Sequence, residues 1–310
     1  MSLWLKRALL AASFAVALPV TAANYTIGTG SQSGTYYPLG GMLAQTWSQN
    51  IDNFNMRAEV TAASVENIIK VASGQQLVGI AMGDSVLAAA KGEAPFKQPM
   101  DISVLFALYP NVVQFMVPAD SDIQSVSDLK GKKVSVGAPG SGTRVGSTNI
   151  MKALGINEGD FKAQSLNYTA TTEALSNGQI DAGVIIGSAG VGAITELALT
   201  RNIRILSFSE DELNKINAAL PAYSGMDIPA DTYNKVPAFT APVVWNVLVV
   251  KKDLDPALAS QMIDTAFADM PKIQKVISDA KNTTVENMDR LQGVPLHESA
   301  QTYLDKNAGN

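Results

Sequence analysis

One order of elements occurs twice along this sequence, and that repetition limits the possible folds more than any other feature. The stretch "YTIG" leads into Ser33-Gly34-Thr35 and a helix start, and "VSVG" leads into Ser141-Gly142-Thr143 and another helix start. Each unit then reaches a strand that follows a Gly-Gln pair, in "SGQQLVGIAMGDS" and in "NGQIDAGVIIGSA". Strands that alternate with helices predict parallel sheets. Coincidence among common α/β elements is the alternative, but we interpret the repetition as two similar α/β lobes.

Two apolar stretches indicate how the lobes are connected. Residues 102–118 form one or two strands, through which the chain leaves the first lobe, and it returns near residues 243–250. We therefore predict an α/β fold with a parallel-rich mixed sheet in each lobe and two hinge crossings. Such a clamp would hold its ligand in the cleft. The predicted boundaries are 23–115 and 247–310 for lobe one, and 116–246 for lobe two.

The first residues have the layout of a secretory signal peptide. Lys6 and Arg7 precede an apolar run from residue 8 to residue 20, and small residues follow. A membrane anchor is the alternative, but this run is shorter than the roughly 20 residues that span a bilayer. We therefore predict cleavage after Ala22 or Ala23 and a periplasmic mature protein.

Composition narrows the classes of partner and cofactor. The chain has no cysteine, so disulfides are excluded and stability has to come from the buried core. Its net charge is −5 and no basic stripe occurs, which argues against a nucleic-acid partner. The first glycine-rich loop misses the dinucleotide fingerprint, because Ser33 stands where G-x-G-x-x-G requires its last glycine. We expect no cofactor, since an exported chain meets little NAD or ATP.

The two Ser-Gly-Thr loops have the chemistry of a site for anions. Backbone N–H groups at a helix N-terminus lack intrahelical partners, and the helix dipole adds attraction for negative charge. Glycines allow a ligand to approach closely, and Ser and Thr add hydroxyl donors. The alternative is that these residues only cap their helices. The candidate ligand-binding residues in the two loops are Ser31, Ser33, Gly34, Thr35, Gly140, Ser141, Gly142 and Thr143.

Arg144 is a candidate for binding a ligand carboxylate. It falls in the first turn of its predicted helix, where a positive charge is unfavourable by roughly 0.3–1 kcal/mol unless an anion is held there. Its planar guanidinium also suits a carboxylate, although a solvated or ion-paired arginine is the alternative. Tyr36 and Tyr37 each offer a ring face and a hydroxyl, and one of them could close over the ligand. Asp84 could accept from an ammonium group or, alternatively, cap the next helix.

Further candidates stand at the ends of elements that face the same cleft. The start of the second helix supplies two of them, a predicted strand end in "SLNYTAT" supplies two, and the strand end that matches Asp84 supplies two. These residues are Ser64 and Asn67, Asn167 and Tyr168, and Gly187 and Ser188.

The sequence shows no constellation for catalysis. His297 is the only histidine, and its position in "VPLHES" indicates a structural role. No G-x-S-x-G nucleophile elbow is present, and no His, Asp and Glu spacing suggests a catalytic metal. We therefore predict a binding protein with neither catalytic nor metal-ligating residues.

In this order the motifs resemble those of the TAXI family, the solute receptors of TRAP transporters. The family's hallmark is similar to residues 27–40, which read "IGTGSQSGTYYPLG". The other matching segments cover nearly the whole mature chain. They read "SVENI" (64–68), "APFK" (94–97), "LYP" (108–110), "DLKGKKVSVGAPGSGT" (128–143), "GQIDAG" (178–183), "AITELA" (193–198), "IPADTY" (228–233) and "PLH" (295–297).

The resemblance implies a two-lobed type II periplasmic binding protein for a small carboxylate of the glutamate or 2-oxoglutarate class. It also implies delivery to the ion-coupled membrane subunits of a TRAP transporter, and we expect the receptor to be a monomer. The position of Arg144 is frequently acidic in relatives. An arginine there could favour a dicarboxylate without an amino group, such as 2-oxoglutarate.

Other departures from the family pattern, at Ser33, Ala62 and Ala63 and in "IIGSAG", also lie near the presumed cleft. Ligand identity is therefore the least transferable inference. Two other functions stay open at this point. One is a sensory module that presents its ligand to a membrane signalling protein, and the other is an exported enzyme on the same scaffold.

Overall fold

A computed structural model of the chain describes residues 23–290, 293 and 296–307. The predicted signal peptide, residues 1–22, lies outside the described residues. The strands are β1 (Ala23–Gly28), β2 (Phe54–Glu59), β3 (Val78–Met82), β4 (Ile102–Pro118), β5 (Lys133–Ser135), β6 (Lys162–Gln164), β7 (Ala182–Gly187), β8 (Ile203–Ile205), β9 (Tyr223–Ile228) and β10 (Phe239–Lys251). The α-helices are α1 (Tyr36–Asn50), α2 (Ser64–Ala72), α3 (Gly83–Lys91), α4 (Gly142–Ala153), α5 (Tyr168–Ser176), α6 (Gly192–Thr200), α7 (Glu210–Ala219), α8 (Pro256–Val276) and α9 (Glu298–Asn307).

Two parts of the chain share the order strand, helix, strand, helix, strand. Unit one (residues 23–82) runs β1-α1-β2-α2-β3, and unit two (residues 133–187) runs β5-α4-β6-α5-β7. In each unit the first strand lies in the middle and pairs in parallel with the other two. The predicted repetition is therefore confirmed, and it places the loops after β1 and β5 at equivalent positions.

Strands β4 and β10 join the two units in one hydrogen-bonded sheet. They pair with each other in antiparallel fashion, while β10 also pairs with β3 and β4 also pairs with β7. The apolar stretch 102–118 is a single strand whose residues are nearly all buried, as expected for a strand covered on both faces. The mixed α/β fold is confirmed. The predicted lobe boundaries fall inside β4 and β10 and stay a prediction.

Distinct apolar cores surround the two units. On the side of unit one, α1 packs against α8, and the buried Trp47 donates from its indole nitrogen to the carbonyl oxygen of Met262 at 2.8 Å. Around unit two, a second core includes Phe115, Val184 and Ile194. His297 is buried, with Nε2 lying 3.0 Å from the carbonyl oxygen of Leu254, which fits its predicted structural role.

Among the described residues, no helix is both long enough and apolar enough to cross a membrane.

Candidate ligand-binding site

A cavity of about 310 Å³ lies between unit one and unit two, at the loops that follow β1 and β5. In sheets of this kind, ligands bind beyond the carboxyl ends of the strands, where the strand order reverses. The lining comes from both units and from β4. The lining residues are Gly30, Ser31, Gln32, Gly34, Thr35, Tyr36, Val60, Thr61, Ala62, Ala63, Ser64, Met82, Tyr109, Asn111, Ala138, Ser141, Gly142, Thr143, Asn167, Tyr168, Thr169, Ile186, Gly187 and Ser188.

Among the helices that the structure describes, four have both their N-cap and their first residue on the cavity lining. Unit one contributes the starts of α1 and α2, and unit two contributes the equivalent starts of α4 and α5. The first N–H groups of each helix have no intrahelical partner, and each start carries the positive end of a helix dipole. The repeated topology therefore brings four positive dipole ends together in one place.

Within the part of the chain that the structure describes, no Asp, Glu, Lys, Arg or His side chain lines the cavity. The polar groups on its wall are hydroxyls, amides and backbone groups. An anion in this cavity would therefore be held by helix dipoles and neutral hydrogen-bond donors, without an opposite full charge.

The four helix starts differ in how their N–H groups are satisfied. In unit two, the Ser141 hydroxyl accepts from the amide of Arg144 at 3.0 Å, and Asn167 Oδ1 accepts from the amide of Ala170 at 2.9 Å. In unit one, Thr35 and Ala63 precede α1 and α2 and make no side-chain capping bond. The third position of α1 is Pro38, which has no N–H group, and the amide of Glu66 in α2 donates to the carbonyl oxygen of Gly140 at 3.1 Å. Unit one thus leaves the first two amides of each helix without a side-chain acceptor.

The start of α2 carries additional constraints. Ala63 has a φ of +81°, a backbone conformation that is uncommon for an L-residue and that tends to occur at functional sites. The Glu66 carboxylate, in the first turn of α2, accepts from the amide of Ala62 at 2.7 Å and so offsets part of the positive dipole end. The first turn of α1 contains no acidic residue, so the electrostatic potential at the start of α1 is more positive than that at the start of α2.

Hydrogen bonds join the two sides across the cavity. The hydroxyls of Thr35 and Ser188 lie 2.6 Å apart, and those of Ser33 and Thr169 lie 3.2 Å apart. The amide of Ala193 also donates to the carbonyl oxygen of Ser33 at 3.2 Å. The cavity is therefore enclosed by direct contacts between the β1–α1 loop and residues of, or next to, unit two.

Two tyrosines on the wall have fixed hydroxyls. The Tyr36 hydroxyl donates to Asn246 Oδ1 at 2.5 Å, and the Tyr168 hydroxyl donates to the carbonyl oxygen of Ile186 at 2.5 Å. Loss of hydration raises the pKa of Tyr168 to about 12 and raises the pKa of Tyr36 well above its usual range. Both side chains are therefore neutral hydrogen-bonding groups at physiological pH.

The structure brings many of the predicted site residues to this cavity. Those on the lining are Ser31, Gly34, Thr35, Tyr36, Ser64, Ser141, Gly142, Thr143, Asn167, Tyr168, Gly187 and Ser188. Those outside the lining are Ser33, Tyr37, Asn67, Asp84, Gly140 and Arg144. Asn167 is not at a strand end as predicted, because β6 ends at Gln164 and Asn167 is the N-cap of α5.

Arg144 is directed away from the lining. Its guanidinium forms an ion pair with Glu158, and its Nη1 donates to the Ser165 hydroxyl at 3.2 Å. The alternative of an ion-paired arginine describes this arrangement, and the guanidinium has no contact with the cavity. Its role as a carboxylate ligand, which the sequence suggested, has no support in this geometry.

Asn67 and Asp84 hold structure together beside the cavity. Asn67 Nδ2 donates to the carbonyl oxygens of Thr29 and Ile80 at 2.7 and 2.8 Å, which ties α2 to the end of β1 and to β3. Asp84 Oδ2 accepts from the Tyr223 hydroxyl at 2.7 Å, and burial raises the pKa of this carboxyl. One carboxylate oxygen is thus engaged by β9, and contact of Asp84 with a ligand ammonium group stays a prediction.

Sequence reasoning missed two polar side chains on β4 that line the cavity, Tyr109 and Asn111. The available signal was the polar interruption of an otherwise apolar stretch. Residues i and i+2 of a strand share one face, so both can reach the same cavity. In the β2–α2 loop, Val60 and Thr61 were also missed, whereas Ala62 and Ala63 had been placed near the cleft as departures from the family pattern.

Comparisons with known proteins give a family match for the sequence and similar solved structures for the fold. The model of the NMT1-like family matches residues 27–307. The structure is similar to the alkanesulfonate-binding protein SsuA from Xanthomonas axonopodis pv. citri bound to MOPS. The two chains are 16% identical with a TM-score of 0.54, and the alignment covers 91% of this chain and 83% of that one.

Two further structures are similar. XAC2383 from Xanthomonas citri bound to ATP is 13% identical, with a TM-score of 0.51 and coverage of 91% of this chain and 94% of that one. A protein assigned to L-cystine ABC transport in Listeria monocytogenes is 12% identical, with a TM-score of 0.51 and coverage of 84% and 98%. At these identities the likeness shows the fold of periplasmic solute-binding proteins.

Proposed function

The chain belongs to the NMT1-like family, and on that premise we propose that it is a solute-binding receptor that captures a small organic acid in the cavity between its two units. The receptor would act in the periplasm and deliver its ligand to a membrane permease. It carries out no covalent step. Ligand binding would shift the population toward the enclosed arrangement in which both units contact the ligand.

The single observation that carries this proposal is the meeting of four helix starts at a cavity whose described lining residues include no charged side chain. An acidic ligand gains from each dipole end, whereas a cationic ligand would be repelled and would find no carboxylate on the wall. A volume of about 310 Å³ limits the ligand to a small molecule, at the lower end of known ligand pockets.

Within this site we assign the acidic group of the ligand to the start of α1. The amides of Tyr36 and Tyr37 occupy the first turn, no side chain caps them, and no carboxylate lies in that turn. The starts of α4 and α5 also keep their first two amides, because Ser141 and Asn167 cap only the third, so they are the alternative places for a polar group of the ligand.

Replacing Thr35 by Asp tests this assignment. The new carboxylate would occupy the amides of α1 and repel the ligand, because like charges about 4 Å apart near a protein surface repel by about 4 kcal/mol. We expect at least a tenfold loss of affinity for a bound acid, by isothermal titration. Ser209→Asp, which changes the N-cap of α7 far from the cavity lining, is the matched control and should leave the affinity unchanged.

The first experiment is native mass spectrometry of the purified protein, followed by titration of the refolded protein with 2-oxoglutarate, glutamate, C4-dicarboxylates and an alkanesulfonate. Neutral amides of the same acids serve as controls. Saturable binding of an acid that is released unchanged would support the receptor. Binding of the neutral amide as tightly as the acid would contradict the dipole argument, and conversion of the acid would support the exported enzyme instead.

For the membrane partner we propose the ion-coupled subunits of a TRAP transporter, which the TAXI-like motifs suggest. An ABC permease is the second candidate, because one of the similar structures is described as part of an ABC transporter. Uptake of the bound acid by cells that express this receptor separates the two. Loss of uptake with a sodium ionophore supports the TRAP partner, and loss with an inhibitor of ATP hydrolysis alone supports the ABC partner. Uptake that does not need the receptor would support the alternative function, a sensory module that presents its ligand to a membrane signalling protein.

A further inference from the structure

Two buried polar atoms on the cavity wall have no hydrogen-bond partner in the described structure. They are the Tyr109 hydroxyl and Asn111 Oδ1, both on β4. The Tyr109 side chain is fully buried, Asn111 is 2% exposed, and both residues line the cavity. The Asn111 amide nitrogen donates to the carbonyl oxygen of Ile186 at 3.2 Å, so it is the oxygen end of this side chain that stays free.

The other polar groups nearby show how unusual this is. The Tyr36 hydroxyl donates to Asn246, the Tyr168 hydroxyl donates to Ile186, and the Ser64 hydroxyl accepts from the amide of Met82. A buried polar group without a partner is costly, so an unsatisfied pair beside a cavity indicates groups kept for a bound molecule.

The chemistry of the pair selects the ligand group that faces it. An amide oxygen only accepts, so Asn111 Oδ1 requires a donor from the ligand, and the Tyr109 hydroxyl can donate to or accept from the same group. A ketone or a second ionised carboxylate offers no donor and would bring a second acceptor against the amide oxygen. No acidic side chain is among the described lining residues, so an ammonium group would be desolvated without a carboxylate in contact with it. A hydroxyl group satisfies both atoms without that cost.

We propose that Tyr109 and Asn111 form a subsite for a ligand hydroxyl group, and that the ligand class is therefore a small hydroxy acid. This inference rests on the proposed function, because it places the acidic group of the same ligand at the start of α1. It differs from the 2-oxoglutarate class that the sequence favoured.

The test is a titration with sets of acids that differ only at carbon 2. One set is 2-hydroxyglutarate, glutamate, 2-oxoglutarate and glutarate, and a second is malate, aspartate, oxaloacetate and succinate. The expected result is binding of the hydroxy acid at least tenfold more tightly than the oxo and unsubstituted acids of its set. If the oxo, amino or unsubstituted acid binds as tightly as the hydroxy acid, this inference is overturned while the acid receptor stands. If no acid in either set binds, this inference is overturned, and the proposed function fails with it when the alkanesulfonate does not bind either.

Two variants test whether the preference for hydroxy acids arises at Tyr109 and Asn111. Asn111→Leu should lower the affinity for the hydroxy acid about tenfold and leave that of the unsubstituted acid within twofold. Tyr109→Phe should also weaken binding of the hydroxy acid selectively, and it should not lower the melting temperature, because the lost hydroxyl has no protein partner.

The control is Tyr233→Phe. The Tyr233 hydroxyl donates to Gln114 Oε1 at 2.5 Å, and neither residue lines the cavity. This control variant should lower the melting temperature and keep the ligand preference. Equal loss for all acids in Asn111→Leu and Tyr109→Phe would contradict the subsite.

Discussion

Unit one and unit two have the same topology and the same Ser-Gly-Thr loop, yet they prepare their helix starts differently. In unit two, α4 begins at Gly142, directly after Ser141, whose hydroxyl caps the helix. In unit one, α1 begins only after Thr35, and that residue makes no capping bond. The same three residues are thus displaced by two positions relative to the helix that they introduce.

This displacement changes what each loop offers. A serine that caps its own helix has used its oxygen, and the amide it caps is no longer free for a ligand. In unit one the hydroxyl of Thr35 contacts Ser188 instead, and the amides of α1 stay without a side-chain acceptor. A duplicated sequence motif therefore caps its own helix in one unit and contacts a residue across the cavity in the other.

Among substitutions that affect only one of the two units, Gly142→Ala is expected to have the largest effect on ligand affinity. A Cβ at Gly142 would lie 2.4 Å from the Ser64 hydroxyl oxygen and 2.8 Å from Met82 Sδ, so α4 could no longer approach α2. We expect a loss of ligand affinity of about 10- to 100-fold, from roughly 1–3 kcal/mol of overpacking in the enclosed state. Titration calorimetry measures it. Gly41→Ala is the control, because a Cβ there meets nothing within 4 Å, and unchanged affinity in both variants would refute the contact.

Exchanging the caps should separate stability from binding. Ser141→Ala removes the bond to the Arg144 amide and should cost about 1 kcal/mol of unfolding free energy. Thr35→Val removes a hydroxyl that caps no helix but bonds to the buried Ser188 hydroxyl, so it should weaken ligand binding and cost about 1 kcal/mol of unfolding free energy as well. Urea denaturation of both variants, with and without ligand, gives the comparison. Equal loss of ligand affinity in the two variants would mean that the two loops are equivalent after all.

A smaller effect, on folding stability, is expected from a substitution of Ala63, whose backbone conformation has no counterpart in unit two. Its φ of +81° is adopted by glycine without a Cβ penalty, so Ala63→Gly should relieve strain before α2. The added freedom of glycine in the unfolded chain offsets part of the gain, and we expect a net stabilisation of about 0.5 kcal/mol. Thermal unfolding measures it, with Ala62→Gly as the control. A destabilised Ala63→Gly protein would show that the backbone here is not strained.

The sequence predicted the repeated topology and the cavity loops, because apolar periodicity and Ser-Gly-Thr spacing are local signals. It did not predict the direction of Arg144, whose partner Glu158 lies in a separate turn, since ion pairs depend on how elements pack. It also missed Tyr109 and Asn111, which become informative only when burial leaves their polar atoms unpartnered. Fold followed from patterns along the chain, whereas ligand selection depends on atoms that the fold brings together.

The smallest effect concerns Asp84, which follows β3 of unit one and accepts from the Tyr223 hydroxyl of β9 at 2.7 Å. Gly187 and Ser188 occupy the equivalent place in unit two, so the carboxyl belongs to one unit only. Burial raises the pKa of Asp84 in the folded protein, so the folded state binds more protons than the unfolded state once the pH exceeds about 3.9. Folding stability contributed by this group is therefore fully present below that pH and is lost as the pH rises through the folded pKa.

Asp84→Asn removes this titration while keeping an acceptor for Tyr223. The difference in melting temperature between the variant and the parent should be smallest at low pH, should grow in favour of the variant as the pH rises, and should level off above the folded pKa. Scans at several values between pH 3.5 and pH 7 measure it, and the other carboxyl groups cancel in the difference. Tyr223→Phe is the control, because it keeps the carboxyl and loses its hydroxyl partner, so its pH dependence should become steeper. A difference that stays constant with pH would show that Asp84 is hydrated and that its bond to β9 does not desolvate the charge.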